Sequence, residues 1–136
     1  MTPFYAQDHD FSAYNVLAVD DIPLNLLLVQ KMLSRLNFKL RTATGGQQAL
    51  DMVAELKPDL ILLDLMMPGI DGFEVIRQLR ANPDTADIRI VILSALNSQD
   101  DVVKGFNAGA NDFIMKPIIM EKLIACVVTQ LQVAGK

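Results

Sequence analysis

Polar side chains follow four apolar, β-branched runs of this sequence, at the point where each run ends. The run VLAVDD ends in Asp20 and Asp21, LILLDL contains Asp64, IRIVILSA contains Ser94, and DFIMKP ends in Lys116 and Pro117. If the runs are neighbouring parallel strands, their carboxyl ends meet at one edge of one sheet. Three carboxylates, one hydroxyl and one ammonium group then share a pocket with Asp64 at its centre.

Such a pocket has the groups needed to hold a divalent cation and accept a phosphoryl group. Three adjacent carboxylates repel one another and stay ionised only if a cation neutralises them. An all-oxygen ligand set with room for water suits Mg²⁺. A carboxylate beside this ion is a feasible nucleophile, because enzymes form acyl phosphates on Asp. The cation, Lys116 and Ser94 can then hold the phosphoryl oxygens.

Most of these residues also have a purely structural interpretation. Asp21 precedes a Pro and a helix, and can be only an N-cap. Ser94 can bond to nearby backbone, and Lys116 can be a solvated lysine at a turn. Asp64 is harder to explain in this way, because it lies within LILLDLMM, where an unpaired charge is costly. The helix that follows already has Asp71 as its predicted cap.

The elements that position these residues alternate between short apolar runs and helical segments. We predict strands at 15–20, 39–43, 59–63, 89–93 and 111–115, and helices at 23–36, 46–56, 72–81, 98–108 and 119–133. Capping boxes are predicted for Thr44 with Gln47 and for Ser98 with Asp101. Strict alternation predicts a single α/β domain, a doubly wound three-layer sandwich around a five-stranded parallel sheet. The expected strand order is 2-1-3-4-5, as in flavodoxin-like folds.

Length and composition indicate one globular domain. The chain has 136 residues, is 51% hydrophobic and carries a net charge of −4, which argues against a nucleic-acid-binding surface. We predict an extension at 1–14, the domain at 15–133 and a tail at 134–136. Cys126 is the only cysteine, and neither a signal peptide nor a membrane-spanning run is visible. We therefore expect a cytoplasmic protein that does not contact a membrane.

Several common catalytic motifs are absent from the sequence. Neither a G-x-G-x-x-G pattern nor a Walker-type phosphate loop is present, so nucleotide binding is not supported. His9 is the only histidine, which leaves no histidine pair for a metal and no Ser-His-Asp triad.

The residues at the strand ends resemble the receiver domain of two-component response regulators over about residues 15–133. The matching pieces are the acidic pair Asp20–Asp21, the DLMMPGIDG stretch at 64–72, Ser94–Ala95 and the GANDFIMKP stretch at 109–117. Each piece is weak alone, but their order and spacing are specific together. The resemblance implies phosphorylation by a sensor histidine kinase or a histidine phosphotransfer protein, with no turnover of an external substrate.

By position, the resemblance implies a role for each residue of the pocket. Asp64 is the implied phosphoacceptor. Asp21, Asp64 and the Met66 backbone carbonyl are the implied Mg²⁺ ligands, and Asp20 acts through water. Lys116 is expected to pair with the phosphoryl group or with Asp64, and its peptide bond to the following Pro is expected to be cis.

The resemblance also implies how phosphorylation changes the domain. Ser94 is expected to turn toward the phosphoryl oxygen and Phe113 to move inward behind it. The implied output surface is the fourth helix, fifth strand and fifth helix, Ser98–Val133, where homodimerisation or effector docking is expected. The positions that tune dephosphorylation hold Met66 and Leu96. Because both are apolar and position no attacking water, we expect slow autodephosphorylation.

Three other functions compete with the receiver interpretation. A Mg²⁺-dependent phosphatase usually needs a second acid two residues after its nucleophile, where this chain has Met66. A flavin-binding carrier of the same fold needs a loop rich in Ser and Thr after the first strand, where this chain has DDIP. A degenerate receiver used only for binding is disfavoured because the acidic, Ser and Lys positions are intact.

Overall fold

The computed structural model describes residues 10–136, so residues 1–9 of the predicted extension, which include His9, lie outside the described part of the chain. The strands are β1 (Asn15–Val19), β2 (Lys39–Ala43), β3 (Leu60–Leu63), β4 (Arg89–Ser94) and β5 (Asp112–Met115). The helices are α1 (Pro23–Met32), α2 (Gly46–Glu55), α3 (Gly72–Ala81), α4 (Gln99–Ala108) and α5 (Met120–Ala134). The five strands pair in parallel in the order β2-β1-β3-β4-β5, which confirms the predicted fold.

The central strands are buried on both faces, which explains their unbroken apolar runs. Alternate side chains of β1, β3 and β4 pack against α1 and α5 on one face and against α2 and α3 on the other. The strand order reverses between β1 and β3. In open α/β sheets a crevice for ligands forms at this point, beyond the carboxyl ends of the strands.

The largest difference from the predicted element bounds is at the end of α1. We predict this helix to Leu36, but it ends at Met32. The residues beyond it form tight turns, in which Leu36 N donates to Leu33 O over 3.0 Å. Leu33 and Leu36 are both buried in the core. The apolar spacing therefore continues past the helix, and it misled the prediction of the helix end.

Two of the predicted helix caps are present. Asp71 Oδ1 accepts a hydrogen bond from Glu74 N at 2.9 Å at the start of α3. Ser98 Oγ accepts one from Asp101 N at 3.1 Å at the start of α4. These bonds satisfy backbone donors that the helices leave unpaired, and they fix where both helices begin.

The capping box predicted for Thr44 and Gln47 is wrong. Gly45 is the N-cap of α2 and makes no side-chain capping bond. Instead, Gln48 Oε1 accepts from both Thr44 N and Thr44 Oγ1, at 2.8 and 3.1 Å. The reciprocal side chain lies one residue later because the helix begins one residue later than the box requires.

Residues 10–14 pack against the domain. Phe11 and Tyr14 are buried, and their rings meet edge to face with centroids 5.4 Å apart. The described part of the predicted extension therefore contributes to the core beside α5. The boundary at residue 15 stays a prediction. Within residues 10–136, none of the helices has the length and apolar character needed to span a bilayer.

Candidate functional site

The carboxylates of Asp20, Asp21 and Asp64 come together at the carboxyl edge of the sheet. Asp20 and Asp21 directly follow β1, and Asp64 directly follows β3. One oxygen atom from each carboxylate lies within 4.8 Å of the other two. Asp20 and Asp64 are each only 6% exposed, and Asp21 is half-buried. The structure thus brings together the three acids that the sequence singles out.

Lys116 supplies the positive charge of this pocket. Its Nζ lies 3.1 Å from Asp20 Oδ2 and 3.7 Å from Asp64 Oδ2. The structural interpretation of Lys116 as a solvated lysine is therefore wrong. The peptide bond between Lys116 and Pro117 is cis. One ammonium group facing three carboxylates leaves an excess of negative charge at this edge of the sheet.

Asp64 has too few partners for a buried charge. Its Oδ1 accepts a hydrogen bond from Met66 N at 3.2 Å. Burial raises the pKa of Asp64 above the ordinary value, and the Asp20 and Asp21 charges raise the pKa further, although Met66 N and Lys116 oppose this. A cation beside the ionised carboxylate would remove this cost.

Hydrogen bonds from the start of α1 hold Asp20 in place, and Asp21 is not the N-cap of this helix. Asp20 Oδ1 accepts from Ile22 N at 2.9 Å, and Asp20 Oδ2 accepts from Asn25 Nδ2 at 3.1 Å. The N-cap of α1 is Ile22, which makes no side-chain capping bond, so the N-cap interpretation of Asp21 is wrong. The next residue is Pro23, whose nitrogen carries no hydrogen to be capped.

Ser94 lies at the same edge but its hydroxyl is bonded to backbone. Ser94 is fully buried at the end of β4, and its carbonyl accepts from Lys116 N at 2.8 Å. Its Oγ accepts from Leu96 N at 3.1 Å, as the structural interpretation of this residue expects. This bond uses the hydroxyl oxygen as an acceptor, so the O–H group is still able to donate to a phosphoryl oxygen.

Phe113 lies in β5 beneath α4. Its side chain is half-buried and packs against the core that contains Ile92. A Cβ atom on Gly105 of α4 would lie 3.3 Å from the Phe113 ring and 2.7 Å from Ile92 Cδ1. The absence of a side chain at Gly105 therefore permits the close packing of α4 over β5.

Two residues that contribute to the site were missed in the sequence. Asn25 contacts Asp20, and the available signal was its place in the first turn of the helix that follows the acidic pair. Gly72 allows the chain to return to Asp64, because a Cβ atom there would lie 2.6 Å from the Asp64 carbonyl oxygen. An uncharged amide and a glycine carry little sequence signal without a known fold.

The donor set fits a hard divalent cation. Three carboxylates offer oxygen ligands within 4.8 Å of one another, and two of them are almost fully buried. Mg²⁺ prefers oxygen ligands and keeps several of its waters when it binds. Met66, two residues after Asp64, is 56% exposed, so solvent reaches the chain next to the acids.

Comparisons with known proteins agree with this geometry. The family model described as response regulator receiver domain matches residues 16–128. The response regulator PleD of Caulobacter vibrioides is 45% identical over 103 residues, which are 76% of this chain and 23% of PleD. The chain spans about a quarter to a half of the length of the curated relatives that it matches.

Solved structures show the same similarity. A putative response regulator of Chloroflexus aurantiacus superposes with a TM-score of 0.83 at 30% identity, over 88% of this chain and 98% of that one. The phosphorylated cyanobacterial phytochrome response regulator RcpA superposes with a TM-score of 0.74 at 26% identity, over 85% of this chain and 89% of that one.

Proposed function

The chain belongs to the response regulator receiver domain family, and on this premise we propose that Asp64 is its phosphoacceptor. One observation carries the proposal: Asp64 lies almost buried between two other carboxylates, with Lys116 Nζ 3.7 Å from its Oδ2. A carboxylate placed in this way contributes little to the stability of the fold. Its position is explained if a phosphoryl group and a cation occupy the pocket.

The proposed reaction is the transfer of a phosphoryl group from a phosphohistidine. A carboxylate oxygen of Asp64 forms the new P–O bond while the P–N bond of the donor breaks, and the imidazole leaves. The donor is a sensor histidine kinase or a histidine phosphotransfer protein, which places the reaction in the cytoplasm. Ile22, Leu24 and Leu28 are each about half exposed beside the site and offer an apolar surface to such a donor.

We assign the Mg²⁺ site to the acids and to one carbonyl. Asp21, Asp64 and the Met66 carbonyl would hold the ion, with Asp20 acting through water. The bound ion would neutralise the carboxylates and the incoming phosphoryl oxygens. Lys116 would hold a phosphoryl oxygen directly, because its ammonium group is already within reach of Asp64.

The response to phosphorylation is a change in side-chain packing. The phosphoryl group carries about −1.5 to −2 charges, by analogy with other phosphorylated side chains, and replaces the single charge of the Asp64 carboxylate. The Ser94 hydroxyl would turn toward a phosphoryl oxygen and donate its hydrogen to it, and the Phe113 ring would move into the space behind it. Phe113 has no hydroxyl, so the movement changes packing and not hydrogen bonding.

The output surface is α4, β5 and α5. Gly105 is the one buried residue of α4, and Val103 and Phe106 are 49% and 44% exposed. Met115 at the end of β5 is 51% exposed. A helix that buries so little is free to shift, and its apolar residues suit homodimerisation or effector docking.

We also propose that the domain turns over no external substrate and dephosphorylates slowly. A phosphatase of this fold would need an acid two residues after its nucleophile, and Met66 occupies that position. Met66 and the half-buried Leu96 offer no group that would orient an attacking water. The lifetime is measured as the loss of the phosphoryl group after removal of the donor. A half-life of seconds would contradict slow dephosphorylation.

The function is tested by incubating the protein with acetyl phosphate and Mg²⁺ and measuring its intact mass. The wild-type protein should gain one phosphoryl group, and Asp64→Asn should gain none. No adduct on the wild-type protein would indicate a degenerate receiver that acts only by binding. An adduct that survives in Asp64→Asn would show that another residue is the acceptor.

A further inference from the structure

Asn25 is a polar residue of the site, and it has no role in the reaction proposed above. It lies in the first turn of α1 and is half-buried. Its backbone N donates to Ile22 O at 3.0 Å, so the start of the helix fixes its position. Its side-chain Nδ2 donates to Asp20 Oδ2 at 3.1 Å.

The carboxylate of Asp20 accepts three hydrogen bonds from the described residues. Ile22 N donates to Oδ1, whereas Asn25 Nδ2 and Lys116 Nζ both donate to Oδ2. Because Asp20 is only 6% exposed, water can supply few additional bonds. A buried carboxylate oxygen that loses its donors is strongly destabilising, so the number of donors on Oδ2 matters.

Two of these donors are neutral and fixed, but the third is mobile and shared. Ile22 N and Asn25 Nδ2 belong to the start of α1. Lys116 has a long, flexible side chain, 22% exposed, with its Nζ 3.1 Å from Asp20 and 3.7 Å from Asp64. If Asp64 is phosphorylated, as the proposed function requires, the doubly charged phosphoryl group attracts Lys116 away from Asp20.

We propose that Asn25 is a positioning residue that keeps Asp20 hydrogen-bonded and oriented while Lys116 moves from Asp20 to the phosphoryl group on Asp64. Without Asn25, Lys116 is the only described donor to Asp20 Oδ2, and its departure leaves that buried oxygen without a donor from the described residues. Asn25 therefore assists phosphorylation without touching the phosphoryl group.

Two substitutions of Asn25 separate this role from a general contribution to folding. Asn25→Ala removes the donor and enlarges an existing cavity of about 300 Å³ that Asn25 lines. Asn25→Asp has nearly the same shape but replaces the donor with a fourth carboxylate. That charge strengthens the attraction for Mg²⁺ and also holds Lys116 beside Asp20, so the two measured quantities should diverge.

The test measures Mg²⁺ affinity by calorimetry and the initial rate of phosphorylation by acetyl phosphate at saturating Mg²⁺. Because loss of a supporting hydrogen bond typically costs 10–100-fold in metal affinity or activity, Asn25→Ala should lose about tenfold in each quantity. Asn25→Asp should bind Mg²⁺ at least as tightly as the wild type but phosphorylate about tenfold more slowly. A wild-type rate in Asn25→Ala at saturating Mg²⁺ would overturn the proposal, as would a wild-type rate in Asn25→Asp.

Asn37→Ala is a matched control. Asn37 Nδ2 also donates to a carboxylate, that of Asp10, at 2.9 Å, but it lies at the opposite end of the domain. This variant should keep the wild-type affinity and rate, and an equal loss in both Ala variants would assign the effect to folding and overturn the proposal. Failure of the wild-type protein to form an adduct refutes the proposed function itself, whereas a normal adduct with an indifferent Asn25 refutes only this inference.

Discussion

The carboxylates at the two edges of the sheet differ in how their charges are paired. At the amino edge, Asp59 accepts a hydrogen bond from Asn15 N at 2.8 Å and forms an ion pair with Lys136 Nζ at 3.1 Å. One carboxylate there faces one ammonium group. At the carboxyl edge, Lys116 is shared between Asp20 and Asp64, with Asp21 close by.

The difference separates charges that stabilise the fold from charges to which we assign a reaction. Asp59 joins the start of β3 to the start of β1 and to Lys136, so its bonds stabilise the fold. The acids of the carboxyl edge repel one another, and burial raises the pKa of Asp64. An arrangement that costs stability in this way is expected where a ligand or a covalent group completes it.

The largest expected effect is that a substitution at the carboxyl edge abolishes phosphorylation, whereas the same substitution at the amino edge leaves it intact. Asp64→Asn removes the nucleophilic oxygen and should abolish the adduct formed with acetyl phosphate and Mg²⁺. Asp59→Asn makes the same chemical change at the amino edge and should form the adduct to the wild-type extent. Intact mass measures both, and a loss in Asp59→Asn would show that the two edges are not functionally separate.

The same two variants should change stability in opposite directions. Asp59→Asn weakens hydrogen bonds that a charge had strengthened, and should lower the free energy of unfolding by about 1–2 kcal/mol. Asp64→Asn removes a charge that burial disfavours, and should raise the free energy of unfolding by about 1 kcal/mol without Mg²⁺. Thermal or urea unfolding at pH 7 measures both changes.

The pH dependence of the Asp64→Asn effect follows from the raised pKa of Asp64. A carboxyl whose pKa is higher in the folded state stabilises the fold while it is protonated, and that contribution is lost as pH rises through the folded-state pKa. The advantage of Asp64→Asn should therefore be greatest at neutral pH and should narrow as pH falls toward the ordinary pKa of Asp. An advantage that widens at low pH would contradict this explanation.

Mg²⁺ should stabilise the wild-type protein through the carboxyl edge alone. At ten times its dissociation constant, a ligand that binds only the folded state adds about 1.4 kcal/mol. Asp59→Asn should gain as much as the wild type, whereas Asp21→Asn should gain less. The measurement is the unfolding midpoint with Mg²⁺ and then with EDTA in excess. An equal gain in Asp21→Asn would place the ion elsewhere.

The fold was predictable because its signals are local and repeated. The unbroken apolar runs that became β1, β3 and β4, and the caps at Asp71 and Ser98, each required only a few neighbouring residues. The predicted end of α1 was wrong because Leu33 and Leu36, which are buried, keep a helical spacing although they lie in turns. Burial sets the spacing of apolar residues in a helix and in a tight turn alike. The hydrophobic pattern alone therefore does not distinguish the two.

The site was predictable where charge is costly, and less so elsewhere. Asp64 stood out because an unpaired carboxylate within an apolar run is energetically costly. Asn25 did not stand out, because an amide in the first turn of a helix is ordinary, and its contact with Asp20 exists only in three dimensions. The bond from Leu96 N to the Ser94 hydroxyl was one of two interpretations of this residue, and the sequence alone could not show that it forms.

The smallest expected effect comes from Lys136, which faces Asp59 at the amino edge as Lys116 faces the acids at the carboxyl edge. Lys136→Met should lower the free energy of unfolding by less than about 1 kcal/mol, because the lysine is 41% exposed and Asp59 keeps its bonds from Asn15. Lys116→Met should have a larger effect, because it leaves buried carboxylates at the carboxyl edge without a cation. Mg²⁺ should raise the free energy of unfolding of Lys136→Met by as much as that of the wild type, and that of Lys116→Met by more, because the ion then replaces the positive charge of Lys116 that faced these carboxylates. Urea unfolding with and without Mg²⁺ gives all four values, and an equal gain in the two variants would mean that the edges are electrostatically alike.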